Sequence, residues 1–207
     1  DGMDICILSS ALNQSKYDLL IENYFDKISK KDGITSLNTA FSSEGSFIHI
    51  PKNVQVDKPI QVIYFSTGKN ESVFYQPRNL IIVGENSQVE IIERHQSLSE
   101  NSVLVNSVSE IYCNVRSVVK YYKIQNDKTN ASLIDNTFVS QERNSDYSLH
   151  TFSLGGELTR NNLSILQNGE RIESTINGIT IIGANQHVDH NTLIHHKKPN
   201  CNSYQDC

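Results

Sequence analysis

The chain has 207 residues, which is enough for one well-buried core or one elongated domain. Hydrophobic residues make up 37% and charged residues 20%, which excludes the high-charge composition of a disordered protein. The formal net charge is -5, and no run of Lys and Arg is longer than the pairs at 30–31 and 197–198. These values argue against nucleic-acid binding and against an anionic membrane surface as a partner.

Targeting signals and cysteine pairs are not evident in the sequence. No window approaches the roughly 20 apolar residues of a membrane-spanning helix, and residues 1–14 lack the basic end and apolar stretch of a signal peptide. Cys6, Cys113, Cys201 and Cys207 are scattered without a CxxC motif, which is typical of reduced thiols. We therefore expect a cytoplasmic protein without a membrane partner.

The first part of the chain predicts helices. Apolar residues follow the helical period at positions 19, 20, 24, 25 and 28. Ser15 is placed to cap this helix and Gly33 to end it. A shorter helical segment is expected at 34–41, before the period changes to two. We assign residues 1–44 to an N-terminal helical segment that caps a β-rich core at 45–207.

Nearly all of the remaining sequence predicts short strands separated by Asn, Gly and Ser turns. A first strand in SFIHI is closed by Pro51. The further predicted strands are 61–66, 79–83, 88–93, 103–106, 110–115, 118–125, 132–135, 137–141, 148–154, 163–167, 174–182 and 187–195. A meander, a sandwich, a barrel and a solenoid all fit this spacing. A parallel β-helix is favoured because no helical crossover is visible and Asn-Gly hairpin turns do not recur.

A solenoid must be capped at both ends, because each coil buries its apolar face only against its neighbours. The N-terminal helix is expected to cap the start, whereas the sequence stops at Cys207 directly after a strand and Pro199. We therefore expect a β-helix core that is incomplete at its C-terminal end and that self-associates through that open end. Ile181 is taken as a core residue, so Ile181→Asp is expected to unfold at least the terminal coils.

Four of the seven histidines lie in one tract, which raises the question of a metal site. His187, Asp189, His195 and Cys201 are weak candidate ligands, accompanied by His190 and His196. On a strand, positions 187, 189 and 195 share one face while 190 and 196 share the other, so four ligands do not converge without help. The alternative is that these are surface or turn histidines that form hydrogen bonds with neighbouring groups.

No active site is predicted from the remaining polar residues. His49, His95 and His150 are isolated on separate predicted strands, and no Ser or Cys nucleophile in a recognisable turn accompanies them. Cys113 lies among β-branched and aromatic neighbours and is expected to be an inert core residue, whereas Cys201 should be more exposed. We therefore do not expect an enzyme.

Several segments in order resemble the SufB/SufD family of iron–sulfur cluster assembly proteins. They are LNTAF at 37–41 with Gly45 and FIHIP at 47–51, DKPI at 57–60, VKYYKIQN at 119–126, and the region 152–203. That region contains FSLGG, Arg-Asn, two spaced glycines, and QHVD followed by T, H, P, C and S. The ending resembles the SufD branch more closely than the SufB branch. One departure is His190-Asn191, where the family pattern has the reverse order.

The resemblance implies a right-handed parallel β-helix flanked by helical regions, with most of the N-terminal and all of the C-terminal region missing here. It also implies a scaffold role in the SufBCD complex, with SufB and the ATPase SufC as partners of the full-length protein. The iron–sulfur cluster would belong to the full complex, with no cofactor bound by this chain alone. The family's cluster-assembly residues lie beyond position 207, so none is assigned here.

Two other functions stay open at this point. A stand-alone metal-binding β-solenoid would use His187, Asp189, His195 and Cys201, and it would require metal affinity from this chain alone. A carbohydrate-active β-helix is less favoured, because such proteins are usually secreted and use aromatic platforms, and this sequence contains no Trp.

Overall fold

Two parallel β-sheets face each other across one elongated core in the computed structural model, which describes residues 2–42, 44–68 and 71–206. Sheet A consists of β1 (Asp4–Ile7), β2 (Ser46–Ile50), β4 (Val73–Tyr75), β5 (Arg78–Val83), β7 (Val103–Cys113), β9 (Ala131–Gln141), β11 (Leu158–Gln167) and β13 (His187–His196). Sheet B consists of β3 (Ile60–Ser66), β6 (Gln88–Ser97), β8 (Val118–Gln125), β10 (Asp146–Ser153), β12 (Glu173–Thr180) and β14 (Asn202–Asp206).

The chain alternates between the two sheets and forms a β-solenoid of about five turns. Sheet A runs in the order β1-β2-β5-β7-β9-β11-β13, and sheet B runs β3-β6-β8-β10-β12-β14. All these pairings are parallel except that of β1 with β2. The short strand β4 pairs with the first residues of β7, next to β5. The predicted parallel β-helix is confirmed.

Register stacks similar side chains in successive coils, and this stacking builds the core. Ile111, Val139 and Ile165 lie opposite one another on β7, β9 and β11, and each is fully buried. Side chains of β8 and β10 alternate between the core and the outer surface, as the period of a strand requires. Burial of these apolar ladders between coils is the main stabilising contribution.

The turn from sheet A to sheet B repeats in every coil. One residue there adopts a left-handed conformation, with φ between 55° and 63°, at Asn53, Asn86, Arg116, Asn144, Arg171 and Asn200. Asn tolerates this conformation better than most residues. The next residue turns inward and is a buried Ser at 87, 117 and 145, whereas Cys201 takes this place in the last turn. We call these residues the turn ladder.

The N-terminal helices pack on the outer face of sheet A. They are α1 (Leu8–Leu12), a 3-10 turn at Ser15–Tyr17, α2 (Asp18–Tyr24) and α3 (Gly33–Phe41). Leu8, Ala11 and Tyr17 contact a buried cluster on the sheet that contains Phe47, Leu80, Ile82 and Tyr112. With at most nine residues each, the helices of the described ranges are all too short to cross a membrane.

The predicted continuous helix from Ser15 to Gly33 is wrong. Ser15 makes no capping hydrogen bond through its side chain, and α2 already ends at Tyr24. Asp26 then adopts a left-handed φ of 58°. Gly33 begins α3 rather than ending a helix, since the Asp32 side chain accepts the N–H of Thr35 at 2.9 Å. The shorter helix predicted at 34–41 is confirmed.

The strand predictions are largely confirmed, with three kinds of correction. Two pairs of predicted strands are each one continuous strand in the structure. The predicted strands 103–106 and 110–115 form β7, and the predicted strands 132–135 and 137–141 form β9. The strands β1, β4 and β14 were not predicted. Ile181 lies beyond the end of β12 and is 64% exposed, so its assignment to the core is wrong. The division at residue 44 stays a prediction, and Cys207 lies outside the described residues.

Candidate functional site

The histidine tract lies on β13, at the end of sheet A. Ile194 packs against the core, so the odd-numbered positions of this strand face outward. His187, Asp189 and His195 therefore share the outer face, as the alternation predicts. The Asp189 carboxylate accepts a hydrogen bond from Arg160 Nε at 3.0 Å, so part of its charge is already paired.

His190, on the opposite face of β13, is held by polar neighbours. His190 Nε2 lies 3.0 Å from Thr180 Oγ1, and its Nδ1 lies 3.4 Å from Asn161 Nδ2. Burial lowers the pKa of His190, which opposes protonation of the ring. Since Asn161 is placed to donate to Nδ1, this nitrogen acts as an acceptor rather than as a free metal ligand.

Two further members of the tract, His196 and Cys201, also have partners. His196 Nε2 lies 3.2 Å from Ser203 Oγ, and the Cys201 thiol donates to the Gly169 carbonyl at 3.3 Å. Within residues 2–42, 44–68 and 71–206, no three side chains of His, Cys, Asp or Glu are grouped to hold a metal ion. His190, His196 and Cys201 thus have hydrogen-bond partners, whereas no such side-chain contact of His187 or His195 is seen in the described residues. A metal role for the candidates stays a prediction.

A second group of ionisable residues lies between the two sheets and was missed by sequence reasoning. Glu93 and His95 on β6, Lys123 on β8 and Asp135 on β9 form what we call the luminal cluster. Their side chains are only 1–3% exposed. Glu93 Oε1 lies 2.9 Å from His95 Nε2 and 3.6 Å from Lys123 Nζ. Lys123 Nζ in turn lies 2.5 Å from Asp135 Oδ2.

Neutral side chains add hydrogen bonds to the luminal cluster, although Asp135 Oδ1 has no partner within the described residues. Glu93 Oε2 accepts from the Tyr121 hydroxyl at 2.6 Å and from Asn79 Nδ2 at 3.3 Å. Lys123 Nζ also donates to Thr137 Oγ1 at 2.7 Å. The ring of Tyr64 stacks on His95 with a centroid separation of 5.0 Å. The ion pairs and hydrogen bonds offset part of the desolvation cost of these buried charges.

Burial and pairing act in opposite directions on these ionisation equilibria. Burial alone would raise the pKa of the Glu93 carboxyl, but the Lys123 ammonium and the His95 hydrogen bond lower it to about 2. Burial alone would lower the pKa of His95, yet its bond to Glu93 and the nearby carboxylates raise it. The pKa of Lys123 is raised by Asp135 and Glu93 against the effect of burial. An ammonium held in this way does not act as a nucleophile.

The sequence does contain a signal for the luminal cluster. Glu93 and His95 are two residues apart and share a strand face, and register places Glu93 directly opposite Lys123. The turn ladder recurs about every thirty residues, as does the spacing from Glu93 to Lys123. Recognition of that repeat would have aligned the two residues in adjacent coils. Without it, His95 was read as an isolated histidine.

Comparison with known proteins places this geometry in a family context. The family model for the SUF system FeS cluster assembly SufBD core domain matches residues 64–207, and the model for the SufBD protein N-terminal region matches residues 1–62. An iron-sulfur cluster assembly SufBD family protein of Synechocystis sp. is 29% identical over 200 residues, which cover 90% of this chain and 44% of that protein. A relative of the same description from Staphylococcus haemolyticus is 30% identical over 199 residues, with coverages of 94% and 42%. The chain thus spans less than half the length of these curated relatives.

Proposed function

The chain belongs to the SufBD family of iron–sulfur cluster assembly proteins, and on that basis we propose that it is a scaffold component of a SufBCD complex. The observation that carries the proposal is the match of two adjacent family models along nearly the whole chain, from its N-terminal helices to the last strand of the solenoid. A stack of parallel coils suits a scaffold, because it presents extended, rigid sheet faces to partners.

We further propose that the chain corresponds to the SufD side of this complex and acts with SufB and the ATPase SufC in the cytoplasm. The order of QHVD, Thr192, Pro199 and Cys201 near the end of the chain supports the SufD assignment. The three cysteines of the described residues are unbridged, which fits a reducing compartment.

The proposed role is non-enzymatic. ATP hydrolysis would belong to SufC, and the nascent iron–sulfur cluster would be cargo held by the assembled complex rather than a cofactor of this chain. Two features of the described residues support this proposal: the luminal cluster is internally paired, and His190 and His196 of the histidine tract lie within hydrogen-bonding distance of neighbouring side chains. We assign no cluster ligand to a residue of this chain.

Co-expression tests the scaffold role. The chain, alone and extended beyond residue 207, is expressed with SufB and SufC and, separately, with SufD and SufC, and co-purification is measured. We expect the extended form to purify with SufB and SufC. Co-purification only with SufD and SufC would support the family role but overturn the SufD assignment. Failure with both pairs, for a folded extended protein, would overturn the scaffold proposal.

Self-association is part of the same proposal. Within the described residues, β13 pairs only with β11, so its other edge is unpaired. We expect dimers or larger species in light scattering at high protein concentration. A strict monomer at every concentration would contradict this expectation.

A further inference from the structure

The charges of the luminal cluster balance in only one protonation state of His95. Glu93 and Asp135 contribute two negative charges, and Lys123 contributes one positive charge. A neutral His95 would leave one negative charge uncompensated in a dry interior, whereas an imidazolium makes the cluster neutral. An uncompensated buried charge is strongly destabilising, so the ring proton contributes to folding.

The carboxylates around His95 favour that proton against the effect of burial. On its own strand Glu93 contacts Nε2, and from β9 Asp135 adds a second negative charge. Asp127, in the turn after β8, contributes a smaller attraction, and burial raises the pKa of its own carboxyl. The opposing cation is Lys123 on β8, which lies against the same Glu93 oxygen as His95 and is also bound to Asp135. The remaining titratable neighbours are the phenols Tyr64 and Tyr121, which stay neutral because burial raises the pKa of both.

The ring of His95 also links two coils. Its face stacks on Tyr64 of β3, the edge strand of sheet B, and the Tyr64 hydroxyl donates to Asn79 Oδ1 at 2.5 Å. An imidazolium attracts an aromatic face more strongly than a neutral imidazole does. Tyr64 in addition lines a cavity of about 540 Å³ between β1 and β3.

We propose that His95 and the luminal cluster form a proton-controlled latch that holds β3 on β6 while the ring is protonated and releases it when the proton is lost. This device is independent of the scaffold function, since it needs only the solenoid itself. Loss of the proton leaves Glu93 and Asp135 against Lys123 alone and weakens the stack on Tyr64. The predicted consequence is local loosening of the first coil of sheet B.

The direction of the pH effect follows from linkage. The folded state binds the His95 proton more tightly than the unfolded state, because the folded pKa is raised above the usual 6.5. The latch therefore stabilises the fold fully below pH 6.5, and its contribution is lost as the pH rises through the folded pKa. Between the pKa of His95 in the unfolded state and its pKa in the folded state, the equilibrium constant of unfolding should increase by up to about tenfold per pH unit.

The chain offers a matched control for this histidine. His150 also lies on a strand of sheet B and also stacks on a tyrosine, Tyr122, at 4.8 Å. Its Nδ1 contacts the Asn177 amide at 3.2 Å, and no carboxylate contact of its ring is seen in the described residues. His95→Asn and His150→Asn thus remove the same chemical groups from a charged and an uncharged setting.

Urea unfolding of the 207-residue chain at pH 6, 7, 8 and 9 tests the latch. We expect the parent and His150→Asn to lose stability in parallel as the pH rises, whereas His95→Asn should show a shallower dependence. Hydrogen exchange should also be measured and corrected for the intrinsic effect of pH on the exchange rate. As the pH rises, the backbone amides of β3 should lose their protection at a lower pH than those of β10. Equal pH dependence of all three proteins would overturn the proposal.

A measurement on the parent protein keeps the proposal testable if His95→Asn does not fold. Long-range ¹H–¹⁵N spectra distinguish an imidazolium from a neutral imidazole, and the luminal ring is recognised by its slow solvent exchange. We expect both nitrogens of His95 to carry protons at pH 7. A neutral His95 ring at pH 7 in the folded protein would refute the latch.

Discussion

Arg78 Nη2 donates a hydrogen bond to Glu110 Oε2 at 2.6 Å, and both side chains are completely buried where the N-terminal loop meets sheet A. The same carboxylate accepts the backbone N–H groups of Asp26, Ile28 and Ser29 at 2.7, 3.0 and 3.2 Å. One carboxylate thus satisfies three backbone donors that a continuous helix would have paired internally. This interaction holds the loop between α2 and α3 on the solenoid.

Removal of the Arg78 cation should therefore be costly. Arg78→Met leaves Glu110 buried without its charge partner, and we expect a loss of about 3–5 kcal/mol in the free energy of unfolding. Arg116→Met is the control, because its ion pair with Glu85 is exposed, and it should cost at most about 1 kcal/mol. Urea denaturation measures both. Similar losses for the two variants would contradict the prediction that loss of the cation is more costly in the buried ion pair than in the exposed one.

A glycine at the entry to β2 is required by close packing. Gly45 has a φ of +130°, and a Cβ there would lie 1.7 Å from the Arg78 carbonyl oxygen. Gly45→Ala should destabilise the protein by about 3 kcal/mol or more, because backbone strain and overpacking add. Gly33→Ala meets nothing within 4 Å at the start of α3 and should be neutral or slightly stabilising. Thermal unfolding of the two variants checks this contrast.

The core position of Ile165 and the exposed position of Ile181 should respond differently to the same change. Ile165→Asp places a charge in the fully buried ladder and is expected to unfold the neighbouring coils. Ile181 is 64% exposed, so Ile181→Asp should change stability by no more than about 0.5 kcal/mol. Circular dichroism melting curves distinguish the two. A large loss at Ile181 would show that its side chain is covered in solution.

The turn ladder predicts which cysteine tolerates serine. Cys201 occupies the place that Ser87, Ser117 and Ser145 take in earlier coils, so Cys201→Ser should be close to neutral. Cys113 is buried among apolar residues, and a hydroxyl there is expected to cost about 1–3 kcal/mol. Denaturant unfolding under reducing conditions provides the measurement. Equal tolerance at both sites would contradict the packing assigned to Cys113.

Low pH should also destabilise the luminal cluster, through protonation of Glu93. The pKa of Glu93 falls to about 2 on folding, from an ordinary value of 4.5. Its ionised form therefore stabilises the fold above pH 4.5, and this contribution disappears as the pH falls toward 2. Glu93→Gln should flatten the loss of stability between pH 5 and 2, whereas Glu85→Gln, at an exposed site, should not. An unchanged slope in Glu93→Gln would assign acid unfolding to other groups.

Local patterns were sufficient for much of the fold. Residues 118–125 were predicted as a strand and form β8 with the same bounds, because their apolar and polar residues alternate regularly. Family membership, predicted from ordered short motifs, is also confirmed. By contrast, β7 and β9 were each divided in two. The predicted breaks, at residues 107–109 and at Asn136, are buried within continuous strands.

The missed features depend on residues that are distant in sequence. The helix predicted to reach Gly33 ends early because the loop backbone at Asp26 donates a hydrogen bond to Glu110. These two residues are 84 positions apart in the sequence. The luminal cluster likewise joins Glu93, Lys123 and Asp135 from three strands in two sheets. Periodicity within one segment carries no information on such partners until the length of a coil is known.

The constant spacing between coils fixes the distance between any two strands along the stack. Neighbouring strands of a sheet are spaced by about 4.8 Å, so the five steps from β2 to β13 fix a separation of roughly 24 Å along the stack. Loss of one coil would shorten this separation by one strand spacing, and the flanking strands could still pair in the same register. A protein docked on the N-terminal helices and another at β13 would thus be held apart by a distance that is set in discrete increments.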